Sequence, residues 1–369
     1  MNNGMNFTFL CDGPARPRGR KVAIIGAGPS GLAAAGYLAC KGYQVEVVDK
    51  LPKAGGLMVF GIPGERIPEE RITRGVRRME RDFGVNFRLC TKICCSSPLH
   101  EEAGDHFSND MRSMAELVEE NDAVVICTGS WKSRRLGVEG QDLPGVYSGL
   151  EFLFPIRAAR YAVERVRRIE LQGRRVAVVG AGFSAVDVAH AAIAGGAEKV
   201  HMLYRRSRAE APCGSFEIEE LMDAGVDWRE LVTPVRVLGE ERVTGIELLQ
   251  CRLGEPDATG RRCPLPGEGE NVALDVDIVV AAIGEIPTPP FGEDLGLENV
   301  RKGEVHWLQM TRIENVFVAG DALTGPSKIG KAVYSGLRAA RSLTNWLDLK
   351  ALHRESEFRS DLIRKEDLR

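Results

Sequence analysis

Lys21-Val22-Ala23-Ile24-Ile25 runs straight into Gly26-Ala27-Gly28-Pro29-Ser30-Gly31, and this stretch decides the fold. The five-residue apolar run is too short for a helix and is bounded by glycine, so it predicts a buried parallel strand. A helix-like run follows over residues 32–41. Gly26 permits a tight turn, Gly28 lets the backbone approach a pyrophosphate, and Gly31 lets the helix pack against the strand. The helix N-terminus then offers phosphate its free N–H groups and the positive end of its dipole. Glycine spacing alone is a weak signal, but here it has its context. A second strand, Gln44 to Val48 (QVEVV), ends in Asp49, which lies 49 − 31 = 18 residues past the last glycine. A carboxylate that binds a ribose is expected roughly 20 residues on.

The pattern recurs once. A strand over residues 174–179 (RRVAVV) leads into Gly180-Ala181-Gly182-Phe183-Ser184-Ala185, with alanine at the third position, and a helical run continues to residue 194. The fingerprint tolerates that alanine. The next strand, residues 199–203, ends in Tyr204-Arg205-Arg206-Ser207-Arg208 and offers no acid. Loss of the acid removes repulsion toward a 2′-phosphate, and arginine supplies a planar donor fork that fits one. The second copy therefore reads as an NADP(H) site, with NAD still possible because an arginine can also stack on adenine.

A third signature closes the set. Asn315-Val316-Phe317-Val318-Ala319-Gly320-Asp321 reads as a strand ending in Gly-Asp, and a helix is expected from about Ser327 to Trp346 behind Gly325-Pro326. The strand-end carboxylate suits a ribityl hydroxyl, and the helix N-terminus suits an anionic reduced flavin. Two shorter runs, 124–129 (VVICTG) and 279–284 (VVAAIG), read as buried strands ending in small residues, where a backbone passes close to a cofactor.

Composition excludes several classes. The 369 residues allow two domains. A net charge of −3 gives no electrostatic case for nucleic acid or an anionic membrane. The most apolar stretch, 176–197, carries Asp187 and His190, so no transmembrane helix is expected. The first twenty residues lack the apolar core of a secretion signal. Nine scattered cysteines suit a reducing compartment, so a cytoplasmic protein without a disulfide framework is expected. Cys90, Cys94 and Cys95 form the single cluster and Cys11 stands alone, too few well-spaced thiolates for a metal cluster, so no metal is expected. No C-x-x-C occurs, which disfavours dithiol chemistry.

These residues carry a resemblance. GAGPSGL (from Gly26), ICTGS (from Ile126), VVGAGFSAVDVA (from Val178) and VFVAGDA (from Val316) follow the order of the two-dinucleotide-binding-domain flavoproteins. More narrowly, GGLMVFGIPGERIP (from Gly55), YRRSRAEAP (from Tyr204) and LGEPDATGRRCPLP (from Leu253) resemble the small (β) subunit of glutamate synthase. They also resemble the FAD/NADPH portions of dihydropyrimidine dehydrogenase and of the electron-bifurcating ferredoxin:NADP oxidoreductase. The likeness covers about residues 20–346. By position it implies FAD contacts at Gly26, Gly28, Ser30, Gly31, Asp49, Gly56, Leu57, Arg66, Asp321 and Ile329, with Pro29, Lys50, Gly129, Gly320, Ser327 and Lys328 completing that set. It implies NADPH contacts at Gly182, Ser184, Arg205, Arg206, Arg208, Ala282 and Gly284, with Gly180, Phe183 and Ile283 beside them. The chain departs from the family pattern at Phe183, where the family usually has Asn, and at Asp49, where it usually has Glu. Those relatives also carry an N-terminal iron–sulfur domain, whereas about twenty residues with Cys11 alone precede the first strand here.

The expected fold is α/β, with two Rossmann-like domains, the NAD(P)H domain inserted into the FAD domain. The FAD domain is placed at residues 19–130 and 286–346, the insert at 131–285, and a charged tail at 347–369. A linking helix is expected over 152–171 and an exposed hairpin loop over 252–271. The expected function is an FAD-dependent NAD(P)H oxidoreductase that exchanges electrons between NADPH and an iron–sulfur or flavin-containing partner subunit. The alternative is a stand-alone reductase of a quinone, a dye, ferredoxin or oxygen. No catalytic residue is singled out, because hydride transfer depends chiefly on positioning. Lys328 could offset charge on reduced flavin, or simply face solvent.

Overall fold

A computed structural model of the chain describes residues 6–64, 66–93, 102–161, 169–257, 260–287, 310–311 and 313–358. It divides into two compact units, one of Met1–Lys132 with Glu285–Arg369 and one of Ser133–Gly284.

The first unit opens with β1 (Lys21–Ile25), α1 (Pro29–Cys40) and β2 (Gln44–Val48). Then come α2 (Leu57–Phe60), α3 (Glu69–Phe83), β3 (Asn86–Arg88), β4 (Thr91–Ile93), β5 (Asp110–Arg112), α4 (Met114–Glu120) and β6 (Ala123–Ile126). The chain leaves this unit at β7 (Lys132–Ser133).

The second unit holds β8 (Val146–Ser148), α5 (Gly149–Ala158), β9 (Arg175–Val179), α6 (Phe183–Ala194), β10 (Lys199–Tyr204), α7 (Ser215–Asp223) and β11 (Asp227–Glu230). It continues with β12 (Val232–Leu238), β13 (Gly245–Pro256), β14 (Arg262–Pro266), β15 (Val272–Asp275) and β16 (Ile278–Ala281). The chain returns to the first unit at β17 (Glu285–Ile286) and ends there with β18 (Val316–Val318), α8 (Asp321–Thr324) and α9 (Ile329–Ala351).

The first unit is built on a five-stranded parallel sheet of order β18-β6-β1-β2-β3. Ile25 pairs with Val48 on one side and Ile126 on the other, which brings three strand ends together. β1, β6 and β18 are covered on both faces and read as apolar runs without alternation, whereas β2 and β3 toward the sheet edge carry Gln44, Glu46, Asn86 and Arg88. Ala23, Ile25, Val48, Val124, Ile126 and Val318 pack with Met114 and Leu117 of α4. The alternate residues Val22, Ile24, Val47 and Phe317 are fully buried on the other face.

The second unit repeats the plan with a parallel sheet of order β11-β10-β9-β16-β8. Val179 pairs with Leu203 and with Ala281. An antiparallel sheet of β12, β13 and β14, with β15 also on β13, is added to it. The α/β fold class is thus present twice.

Several expectations change. Cys11 is not alone: it forms a disulfide with Cys40 at the end of α1, with their Cα atoms 5.9 Å apart. The N-terminal segment folds back along α1 and α3, which brings the two cysteines together. The Thr8 carbonyl lies 1.6 Å from where a Cβ on Gly36 would stand, and the Thr8 Cγ2 2.6 Å from one on Gly75, so only glycine admits the segment. The Ala15 N–H donates to the Cys40 carbonyl (3.0 Å).

The helix expected over 152–171 begins earlier, at Gly149, where Ser148 and Glu151 form a capping box, and ends at Ala158. Residues 162–168 lie outside the described residues, as do Cys94 and Cys95. The exposed hairpin loop expected over 252–271 is present as the β13–β14 hairpin, with the long β13 supplying its ladder. The helix expected from Ser327 starts at Ile329, and a one-turn helix, α8, precedes it.

Candidate functional site

The first glycine loop joins β1 to α1. The Gly26 N–H donates to the Val48 carbonyl (2.7 Å), and a Cβ on Gly26 would lie 2.4 Å from the Cys127 carbonyl oxygen. Its φ of +103° suits glycine as well. Gly31 would put a Cβ 1.9 Å from the Gly26 carbonyl, so the helix starts directly on the loop. Gly28 differs: a Cβ there would meet nothing within 4 Å. Gly28 is the N-cap of α1, no side chain caps it, and Pro29 opens the first turn. The surface over Gly28 is therefore an open cradle beneath an uncapped helix end, which suits a pyrophosphate.

Other segments converge on this loop. The Gly55 N–H donates to the Ala27 carbonyl (2.8 Å), and Gly56, at the start of α2 beside Leu57, would put a Cβ 3.0 Å from the Gly28 Cα. Asp49 is buried at the end of β2, its carboxylate accepting from the N–H of Ala27 (2.6 Å) and of Leu51 (2.8 Å). Burial pushes its carboxyl up from the ordinary range, against the pull of those two donors. Asp49 thus braces the glycine loop, and it retains lone pairs for a ribose hydroxyl.

Ser30 is buried under the carboxyl-terminal part of the unit. A Cβ on Gly320 would lie 2.5 Å from its hydroxyl, and one on Gly336 2.1 Å from its carbonyl. The Gly320 N–H donates to the Ser335 hydroxyl (2.9 Å). Asp321 opens α8; its carbonyl accepts from the Ser130 hydroxyl (3.0 Å) and its carboxylate from the Ser327 hydroxyl (2.6 Å). Lys328 is the exposed N-cap of α9, immediately before Ile329. Arg66 is exposed beyond α2.

Behind β6, Gly129 is followed by Trp131, whose indole N–H donates to the Thr128 carbonyl (2.6 Å). The Thr128 hydroxyl is buried with no hydrogen-bond partner. A buried hydroxyl costs about 1–3 kcal/mol when unpaired, so this one is open to a bound water or a ligand group. Cys127 is fully enclosed, and burial pushes its thiol up to about 12. It is no nucleophile at neutral pH.

Lys50 sits apart from the cradle. Its ammonium donates to the Asp105 carboxylate (2.9 Å) and the Glu102 carboxylate (3.0 Å), and lies 4.1 Å from the Trp131 ring centre. Lys92 completes this cluster on Asp105 (2.5 Å). The structure engages Lys50 with side chains rather than with the glycine loop.

The second glycine loop repeats the first in the second unit. The Gly180 N–H donates to the Leu203 carbonyl (2.9 Å), and a Cβ on Gly180 would lie 2.3 Å from the Ala282 carbonyl. Gly182 is the uncapped N-cap of α6, and a Cβ there meets nothing within 4 Å. Phe183 and Ser184 open the helix, and Ala185 fills the third glycine position fully buried. Ala282, Ile283 and Gly284 follow β16, with Ile283 exposed and the Gly284 carbonyl accepting from the Arg134 N–H (2.9 Å).

At the end of β10 the three arginines separate. Arg205 is exposed. Arg206 is 5% exposed and donates to the Arg262 carbonyl (2.7 Å). Arg208 is exposed beside the Glu230 carboxylate (3.6 Å). The hairpin residues Arg261 and Arg262, absent from the sequence-level candidates, also reach this strand end. Their motif was visible in LGEPDATGRRCPLP, but nothing in a linear string says which strand end a hairpin covers.

Among the described residues, no group of three or more His, Cys, Asp or Glu is arranged to hold a metal ion, and no helix is long and apolar enough to cross a membrane.

Residues 20–336 match the profile of the family described as pyridine nucleotide-disulphide oxidoreductase. The chain is 37% identical over 335 residues to the NADP(+)-dependent formate dehydrogenase subunit beta of Moorella thermoacetica, covering 89% of this chain and 44% of that protein. It is 34% identical over 339 residues to the glutamate synthase [NADPH] small chain of Halomonas elongata, covering 89% and 68%. The chain thus spans less than half of the first relative and about two thirds of the second. Among solved structures, Mycobacterium tuberculosis FprA in complex with NADPH superposes with a TM-score of 0.73 at 21% identity, covering 92% of this chain and 86% of that one. Thioredoxin reductase of T. acidophilum gives a TM-score of 0.58 at 20% identity, covering 88% and 98%. At these identities the two structures bear on the fold, which they share.

Proposed function

The chain belongs to the pyridine nucleotide-disulphide oxidoreductase family, and from that premise we propose that it is an FAD-dependent NADPH oxidoreductase that feeds electrons to a partner redox subunit. One observation carries the reading. The same open glycine cradle is built twice, and the two copies end their second strands with opposite charge, Asp49 in one and Arg205 in the other. A buried carboxylate suits ribose hydroxyls and repels a 2′-phosphate, while an arginine attracts one. FAD is assigned to the first copy and NADPH to the second.

Bound FAD supplies acceptance of a hydride and release of electrons singly or in pairs. The chain supplies binding and orientation. The α1 N-terminus and the cradle over Gly28 hold the pyrophosphate, and Asp49 holds the loop and accepts from ribose. Thr128 offers its unpaired hydroxyl, and Asp321 offers its carboxylate to a hydroxylated linker. In the second unit the α6 N-terminus over Gly182 takes the nicotinamide dinucleotide's pyrophosphate. We assign no acid or base, since positioning provides the rate.

The relatives' names are those of subunits of larger enzymes, formate dehydrogenase and glutamate synthase. Those names support a partner subunit; an iron–sulfur or flavin protein in that role, and a cytoplasmic setting where NADPH is supplied, complete the proposal. Dithiol chemistry has little support: Cys40 ends the twelve-residue α1, about 16 Å along the helix from its first residue at about 1.5 Å per residue.

The test is to purify the chain, record its visible spectrum with added FAD, and add NADPH without oxygen. A bound flavin that bleaches with NADPH and reduces dyes supports the reading, as does an iron–sulfur protein co-purifying from native extract. A chain that binds no FAD overturns it. A lone chain from native extract that rapidly turns over a quinone replaces the subunit role with a stand-alone reductase.

A further inference from the structure

Five arginines gather at the end of β10, and they do not play one role. Three have carboxylate partners. Arg206 faces the Asp257 carboxylate (3.5 Å), Arg208 faces Glu230 (3.6 Å), and Arg262 donates to Glu210 (3.3 and 3.5 Å). Arg205 and Arg261 have none among the described residues. The Arg261 guanidinium donates to neutral acceptors, the Tyr204 hydroxyl (2.9 Å) and the Glu210 carbonyl (3.4 Å). Five cations against three carboxylates leave 5 − 3 = +2, and that excess sits on the two arginines flanking Tyr204. A guanidinium has five N–H donors, so Arg261 keeps several to spare.

Arg206 is placed differently. It is buried, its Nε donates to the Arg262 carbonyl (2.7 Å), and its own carbonyl accepts from the Leu231 N–H (3.2 Å). Asp257, which it faces, is part of the hairpin: the Asp257 N–H donates to the Arg261 carbonyl (2.8 Å) and its carboxylate accepts from the Arg261 N–H (3.3 Å). Arg206 therefore holds the hairpin on either side of Arg261, through the Arg262 carbonyl and the Asp257 carboxylate.

We propose that Arg261, delivered by the β13–β14 hairpin, reads the 2′-phosphate of NADPH together with Arg205, and that Arg206 is a positioning residue that holds the hairpin in place. The proposal rests on NADPH occupying the second unit. It moves one reader of the phosphate from the strand end, where the fingerprint puts it, to an antiparallel hairpin 56 residues further along the chain. Two planar forks, both without a competing carboxylate, suit a dianion better than one.

The FAD-loaded protein is titrated with NADPH and NADH, and with 2′,5′-ADP and 5′-AMP as competitors. Arg261→Gln and Arg205→Gln should each cut the preference for 2′,5′-ADP over 5′-AMP by about tenfold to a hundredfold, the loss of one charge-assisted bond, and leave NADH affinity unchanged. Arg206→Met should lower the same preference alone but add nothing in an Arg261→Gln background. Arg206→Lys, which keeps a donor for the Arg262 carbonyl, should restore part of it. If Arg206→Met does not fold, Asp257→Asn tests the same tether. Preference that survives Arg261→Gln overturns the proposal alone. So does an Arg206→Met, or Asp257→Asn, loss of equal size in both backgrounds, which would make Arg206 a direct reader or a general support. A wild-type protein that binds 2′,5′-ADP no better than 5′-AMP overturns the NADPH reading, and this proposal with it.

Discussion

Replacing Gly28 by valine puts a branched side chain into the cradle over α1 without asking the fold to move. The backbone at Gly28 has φ −73° and ψ −173°, an extended conformation open to any residue, and a Cβ there meets no protein atom within 4 Å. Loss of glycine's freedom in the unfolded chain stabilises by about 0.4–1 kcal/mol when the native angles are compatible. The apoprotein should therefore be as stable as wild-type apoprotein, or slightly more so. The cradle itself is lost, because the new methyl groups occupy the space a pyrophosphate needs. FAD at about 100 times its Kd adds about 2.7 kcal/mol to the wild type. For units of this size about 2–4 °C per kcal/mol applies, so the wild type should gain about 5–10 °C on adding FAD and the variant nothing. Gly31→Ala is the control with the opposite pattern: its Cβ would lie 1.9 Å from the Gly26 carbonyl, and overpacking costs about 1–3 kcal/mol with or without flavin. The assay is the flavin-to-protein absorbance ratio together with melting of apo and FAD-loaded forms. A Gly28→Val protein that purifies with one FAD per chain, or whose apo form melts well below wild type, refutes the reasoning.

Gly182→Val should behave in the same way in the second unit, abolishing the NADPH-induced bleaching while the visible spectrum of bound flavin persists; retained bleaching would show that the cradle is not used. Asp105→Asn should cost about 1–3 kcal/mol in urea unfolding, since it removes the buried carboxylate that Lys50 and Lys92 share, while Glu102 still pairs with Lys50 and both lysines keep some exposure. Burial pushes the Asp105 carboxyl up, but Lys50 and Lys92 outweigh it and hold it below the usual 3.8. A depressed carboxylate stabilises above its unfolded value and loses that contribution as pH falls through the lower folded one. The wild-type urea midpoint should thus drop below about pH 4, and the Asp105→Asn midpoint should drop less over the same range, with Asp227 and Asp277, also held low, supplying part of what remains. Reducing the Cys11–Cys40 disulfide should lower stability by about 2–4 kcal/mol, while a Cys11→Ser protein should melt identically with and without reductant.

Much of the fold was legible because strand, glycine turn and helix are local. β1 and β2 have the bounds that their apolar runs predict, and the two glycine loops lie where their spacing puts them. Asp49 was legible as the strand-end acid, and Arg205 as the strand-end base. Other features depended on distant partners. Cys11 read as solitary because Cys40 is 29 residues away, and two glycines, Gly36 and Gly75, open the path that joins them. Lys50 read as a cofactor contact, yet the Asp105 and Glu102 carboxylates engage its ammonium.

The amino-acid string by itself determined the class of fold, the doubling of the dinucleotide-binding pattern and the sign of charge at each strand end, since each follows from residues within a few turns of one another. Tertiary structure alone decided which members of a motif are free to act. Arg205 and Arg206 are adjacent and chemically identical, yet one is exposed and the other buried against the Arg262 carbonyl. Successive residues that follow a strand face different surroundings, and a hairpin closing from 56 residues away removes one guanidinium from solvent while delivering another, Arg261, to Tyr204.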